Sequence, residues 1–152
     1  MQIWVDADAC PRAIKEILFR AAVRTETPLT LVANRLLHVP RSPFLRSVQV
    51  PSGFDEADYR IVRLMEAGDL VVTADIPLAA AVVKQGGNAL EPRGKLYTEE
   101  NVTEALATRN LMDQLRSEGL ELGGPAPLGK TERQAFANEL DRILQRERGP
   151  SR

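Results

Sequence analysis

Near the start of the chain, in the stretch "IWVDADACPRAIKEIL", three apolar residues run into two aspartates. Ile3, Trp4 and Val5 read as a buried strand, and Asp6 and Asp8 stand where that strand hands over to a helix. The pattern recurs in "DLVVTADIPLA", where an apolar, β-branched run leads into Thr73 and Asp75, and Pro77 opens a helix. A further acid, Asp58 in "SGFDEADYRIV", precedes Ile61, Val62 and Met65 by three, four and seven positions. It therefore shares the inward face of its helix. A carboxylate on such a face is unusual unless it is paired or binds a metal.

Acids at the C-terminal ends of parallel strands are brought together, because open α/β sheets form their ligand crevice there. Two carboxylates ~4 Å apart repel by about 4 kcal/mol at an effective dielectric of about 20. Asp6, Asp8, Asp58 and Asp75 together would need a cation to stay ionised, and only Arg12 is close in sequence to the strand ends. An all-oxygen donor set suits Mg²⁺ or Mn²⁺ and not Zn²⁺. The competing reading is helix capping, since Asp is a favoured N-cap and Asp8, Asp55 and Asp75 each precede a helix. Capping suffices for Asp55. Acids at three strand-to-helix junctions, joined by inward-facing Asp58, favour a metal site.

Other chemistries find little support. His38 is the single histidine, in the Pro-flanked "LHVPRSP", and no strand-turn serine accompanies it. Cys10 lacks the arginine that would close a thiol phosphatase loop six residues on, where Glu16 stands, so it reads as a small residue packed at the turn. No Gly-rich phosphate loop of the GxxxxGKS or GxGxxG type occurs.

The elements that must position these acids follow from periodicity. "QIWV", "LTLVA", "RSVQV", "DLVVT" and "NAL" are strand candidates. Helical spacing links Ile14 to Ala22, with Pro11 in the first turn. It also links Ile61 to Met65, up to a stop at Gly68, and Leu78 to Val82. The alternation predicts a three-layer α-β-α fold with a mainly parallel sheet, plus C-terminal helices. Those are Thr98 to Glu118 and, after the Gly/Pro-rich "GLELGGPAPLGK", a helix with Thr131 and Gln134 as a capping box. The apolar face of the last helix, Phe136, Leu140, Ile143 and Leu144, needs a partner, so residues 1–147 are expected to form one domain. Residues 148–152 are expected to be an unstructured tail.

Composition narrows the class. The chain has 152 residues, a net charge of −1 and one cysteine, which suits a single domain in a reducing compartment. No signal core or membrane-length apolar run is present, so a cytoplasmic protein of bacterial or archaeal style, with no membrane partner, is expected. Arginine outnumbers lysine sixteen to four, which fits phosphate recognition or coding bias; the even spread along the chain favours bias. One stretch stands apart: from Thr27 to Phe54 there is no acid, while Asn34, Arg35, Arg41 and Arg46 occur there. Starting at the strand-end rim, this stretch is expected either to hold the phosphates of a nucleic acid or to be an ordinary solvated loop whose arginines pair with acids elsewhere.

"DADACP", "GDLVVTADIPLA" and "RQAFANELDRIL" together make the chain resemble the YaiI/YqxD family of small, mostly uncharacterised bacterial proteins, over nearly its whole length. That family looks related to the PIN-like nucleases, whose acids match Asp6, Asp58 and the Thr73/Asp75 pair one by one. PIN sites often carry glutamate where this chain has Asp58, and Asp8 and the C-terminal helices are additions. The resemblance implies phosphodiester hydrolysis, with RNA as the favoured substrate. Asp6 and Asp75 would be the principal ligands, Asp8 or Asp58 would orient water, and Thr73 would support Asp75. A rival resemblance is to haloacid-dehalogenase-type phosphatases, with Asp6 as nucleophile and Asp8 as acid, although the later acidic pair of that family is missing. A binding protein without turnover is the third reading.

Overall fold

The computed structural model describes residues 1–53, 55–123 and 127–147. Its elements are β1 (Ile3–Asp6), a 3₁₀ turn (Ala7–Ala9), α1 (Arg12–Thr25), β2 (Leu29–Ala33), β3 (Leu45–Gln49), α2 (Glu56–Leu64) and β4 (Leu70–Val72). After these come α3 (Ile76–Lys84), β5 (Asn88–Leu90), β6 (Leu96–Tyr97), α4 (Glu99–Ser117) and α5 (Lys130–Glu147). The strands form one sheet in the order β3-β2-β1-β4-β5-β6. All neighbours are parallel except β6, which runs antiparallel to β5. The strand order reverses between β1 and β4, which is where such sheets open their ligand crevice.

The period of two along each strand decides which residues face which helices. Ile3 and Val5 of β1, with Leu70 and Val72 of β4, enter the core that α1 and α5 cover. Trp4 and Val71 enter the opposite core, beneath α2, α3 and α4. The next residues on that second face are Asp6 and Thr73. Strand alternation alone therefore aims both side chains at α2 and α3. Strands β1, β2 and β4 are buried along their whole length, which explains their nearly continuous apolar sequence.

The apolar face of α5 finds its partner on α1. Phe136, Leu140, Ile143 and Leu144 are buried with Ile14, Leu18, Ala21 and Ala22. The β5–β6 turn touches the same helix. Gly94 has φ +97, and a Cβ there would lie 2.7 Å from the Ala135 carbonyl carbon. Only glycine permits both the turn and the approach. At the other end of the sheet, buried Asp69 accepts hydrogen bonds from the Gln2 N–H at 3.0 Å, the Trp4 indole at 3.0 Å and the Glu66 N–H at 2.9 Å. This carboxylate ties the start of β1 to the turn before β4.

Several local expectations are corrected. β6 has only two residues, too few to show a period. Helix α2 stops at Leu64, with Met65 already extended, and Gly68 serves the following turn at φ +89. Pro11 occupies the N-cap of α1, one position before its first turn. The final helix begins at Lys130, so Thr131 lies inside it, and Gln134 hydrogen-bonds Asn138 instead of capping. Glu132 accepts the Gly129 N–H at 2.6 Å and provides the capping contact. The expected tail, 148–152, lies outside the described residues, as do 124–126 of the connector and Phe54. Among the described residues no helix is long and apolar enough to cross a membrane.

Candidate metal centre

Three segments bring acids to the crevice between β1 and β4. Asp6 ends β1 and is 9% exposed. Its carboxylate accepts a hydrogen bond from the Thr73 hydroxyl at 2.9 Å, and the same hydroxyl accepts the Asp75 N–H at 2.9 Å. Asp75 is the N-cap of α3, and its Oδ1 accepts the Leu78 N–H at 2.9 Å. Its carboxylate also lines the cleft. Asp58 comes from the first turn of α2, where the spacing from Ile61 had placed it.

Asp55, Asp58 and Asp75 each offer a carboxylate oxygen, all within 4.8 Å of one another. Asp6 and Asp8 line the same cleft, whose volume is about 180 Å³, with Asn34 beside Asp8. The four expected acids are thus brought together, and Asp55 joins them. Asp55 stands at the N-cap position of α2 but makes no side-chain capping bond and has φ 64, a left-handed conformation that Asp tolerates better than most residues. The capping role assigned to it is not realised. Its three-residue spacing from Asp58, which puts both at one helix start, was the available signal. Asp8 does not cap a helix either. It sits exposed in the 3₁₀ turn and accepts the Asn34 N–H at 2.9 Å. Of the three acids read as caps, only Asp75 is one.

The electrostatics follow from this crowding. Burial is the main reason Asp58 is pushed up to about 7; the charges of Asp75, Asp6 and Asp55 and a hydrogen bond with Asp75 add to it. Asp6 is also raised, chiefly by burial, with the Thr73 hydrogen bond opposing and the Asp75 and Asp8 charges adding. A site that penalises its own ionisation in this way is one that a divalent cation would relieve. The donors are all carboxylate oxygens, which fits Mg²⁺ or Mn²⁺.

The remaining candidates fall outside this group. Cys10 is buried in the core, its Sγ donates to the Pro11 carbonyl at 3.7 Å, and burial pushes its thiol up to about 12. It is the packed turn residue the sequence indicated. His38 is exposed in the crossover after β2. Thr73 supports Asp75 as expected, its hydroxyl accepting the Asp75 backbone N–H, and it also donates its proton to Asp6, a bond the sequence did not indicate.

The acid-free segment divides. Strands β2 and β3 are parallel, so residues 34–44 must return from the carboxylate rim to the opposite end of the sheet. Asn34 and Arg35 are at the rim. Arg41 lies near the far end of the crossover. Arg46 is on β3 itself, paired with Thr30, two residues short of the Val48 position that is level with Asp6. All three arginines are exposed, and none makes an ion pair among the described residues. The order of residues in the sequence could not show this separation, because it depends on strand direction.

Residues 4–146 match the family model described as "Uncharacterized BCR, YaiI/YqxD family". A UPF0178 protein of Burkholderia lata is 60% identical over 150 residues, covering 99% of this chain and 100% of that one. One from Halorhodospira halophila is 63% identical over 146 residues, covering 96% and 97%. One from a Janthinobacterium species is 57% identical over 148 residues, covering 97% and 98%. No solved structure matches. The chain belongs to the YaiI/YqxD family.

Proposed function

We propose that this member of the bacterial YaiI/YqxD family is a divalent-metal-dependent nuclease that hydrolyses phosphodiester bonds, with RNA as its substrate. One observation carries the reading: Asp55, Asp58 and Asp75 place oxygens within 4.8 Å of one another, on a cleft shared with Asp6 and Asp8.

Asp58, Asp75 and Asp55 would hold Mg²⁺ or Mn²⁺, with Asp6 as a further ligand. When bound, such an ion supplies Lewis-acid polarisation of the phosphodiester, neutralises charge built up in the transition state and acidifies water. The rest falls to the chain. Thr73 holds Asp6 and the Asp75 backbone in fixed relation, so the ligands are set before substrate arrives. Asp8 is exposed at the rim and oriented by the Asn34 N–H, so it can orient an attacking water and take its proton. Arg35, beside Asn34, presents a cation to a neighbouring phosphate.

The phosphatase reading needs an acid after a later strand. Glu91, which follows β5, is instead engaged by the Arg93 N–H at 3.1 Å and paired with the Arg93 guanidinium at 3.6 Å. Incubation of single-stranded RNA, single-stranded DNA and p-nitrophenyl phosphate with the protein and Mn²⁺ tests the proposal. Cleavage of RNA, abolished in Asp58→Asn, is expected. Hydrolysis of the monoester alone, through an aspartyl-phosphate at Asp6, would replace the nuclease with a phosphatase. Binding of RNA with no turnover would leave a nucleic-acid-binding protein.

A further inference from the structure

We propose that a single-stranded polynucleotide reaches the carboxylate cleft along a groove over α2, α3 and α4, with a base on Tyr59 and flanking phosphates on Arg109, Arg116 and Lys95. This rests on the nuclease reading and adds the path of the substrate to it.

The groove is continuous through shared residues. Asp55, Asp58 and Asp75 line the carboxylate cleft and also one end of a second depression of about 470 Å³. The wall of that depression is apolar, from Val62, Leu78 and Ala81, with Tyr59 beside them and Arg109 among its lining. Arg109 in turn lines a third depression, of about 590 Å³, together with Lys95 and Arg116. From the cleft outward the surface is therefore acidic, then apolar and aromatic, then basic.

Each part suits one part of an oligonucleotide. The acids, with a cation, would take the scissile phosphate. Tyr59 is 67% exposed, a large ring standing in solvent beside an apolar wall, and bases stack on such rings whatever their identity. Arg109 and Arg116 are seven residues apart on α4 and so share one face, two turns apart. Lys95 is steered by the Tyr97 ring, 5.4 Å from its ammonium. The two arginines share one partner, Asp113, at 3.4 and 3.3 Å in exposed pairs that hold them weakly. Glu104 also lines the basic end. Together Asp113 and Glu104 leave one positive charge in surplus. This route places the cations on the α4 side of the cleft, whereas Arg41 and Arg46 sit toward the other end of the sheet.

The test is fluorescence anisotropy with a hydrolysis-resistant phosphorothioate oligonucleotide of roughly ten residues, in Mn²⁺, within the usual range of single-strand site sizes. Arg109→Ala/Arg116→Ala should weaken binding at least about tenfold at low salt and flatten the log–log salt slope by about 0.7 for each lost contact. Tyr59→Ala should cost about tenfold, and Tyr59→Phe should retain affinity. Arg41→Ala/Arg46→Ala, with the same loss of charge, should stay within about a factor of two. Equal losses in both double variants would reduce the effect to net charge and overturn the path. So would wild-type affinity in Arg109→Ala/Arg116→Ala, or no binding by the wild type. Cleavage of unmodified RNA by the same proteins separates the two claims. Unimpaired cleavage by the groove variants would sink the path and leave the nuclease, while binding along the groove without cleavage by the wild type would do the reverse.

Discussion

The Thr73 hydroxyl stands between Asp6 and Asp75, donating to the carboxylate of the first and accepting the backbone N–H of the second, each at 2.9 Å. One side chain thus couples the end of β1 to the start of α3 across the point where the strand order reverses. Thr73 is 1% exposed, so neither bond has water to replace it. Thr73→Val keeps the shape and removes both partners. It should lower stability by about 1–3 kcal/mol, the usual cost of leaving buried polar groups unsatisfied. Urea unfolding at neutral pH checks this. It should also weaken Mn²⁺ binding, because Asp6 would ionise less readily.

Asp58 gives the metal-free protein a pH-dependent stability. Its carboxyl is raised from 3.8 to about 7 in the folded state. Below the unfolded value the group is protonated in both states and costs nothing. As pH rises through the folded value, the folded state must ionise a carboxylate it disfavours, and this contribution to stability is lost. Urea midpoints measured in EDTA should therefore fall between about pH 4 and pH 8. In Asp58→Asn that part of the slope should disappear. An unchanged slope would mean that Asp58 is less buried and less crowded by its neighbouring acids in solution.

Asp69 separates scaffold from site. It accepts three hydrogen bonds and is 4% exposed, yet it lies at the end of the sheet away from the cleft. Asp69→Ala strands the Trp4 indole and two backbone N–H groups, and should cost about 2–4 kcal/mol. Trp4 fluorescence during unfolding reports it directly. At a temperature where the variant remains folded, Mn²⁺ affinity should match the wild type, in contrast to the cleft acids.

Much of this site was legible because its acids adjoin strong patterns. The β-branched run before Thr73 and the apolar run before Asp6 mark strand ends, and the spacing of Asp58 from Ile61 marks its inward face. Asp55 was missed because an Asp before a helix is most simply a cap; its φ of 64 and missing capping bond are properties of the folded loop. The second partner of Thr73, Asp6, was missed because register, which sets Val5 beside Val72, is not written in either strand alone. Arg41 and Arg46 were grouped with Arg35 because they are neighbours in sequence, yet a parallel crossover carries them to the other end. β6 had only Leu96 and Tyr97 to announce it, and Gly94, which seats that hairpin on Ala135, is just one of ten glycines until the helix beneath it is known.

The central claim is that the clustered aspartates bind a divalent cation. Calorimetric titration of the metal-free protein with Mn²⁺, beside Asp75→Asn, tests it most directly. Asn keeps an acceptor for the Leu78 N–H, so α3 stays capped while one charge leaves the cleft. The account predicts a saturable site in the wild type. It also predicts a rise in thermal midpoint with Mn²⁺, since a ligand held only by the folded state stabilises it. In Asp75→Asn the affinity should drop at least about tenfold, as expected when a metal loses a charged ligand or its close support. Equal Mn²⁺ binding by both proteins, or none by either, would contradict the account.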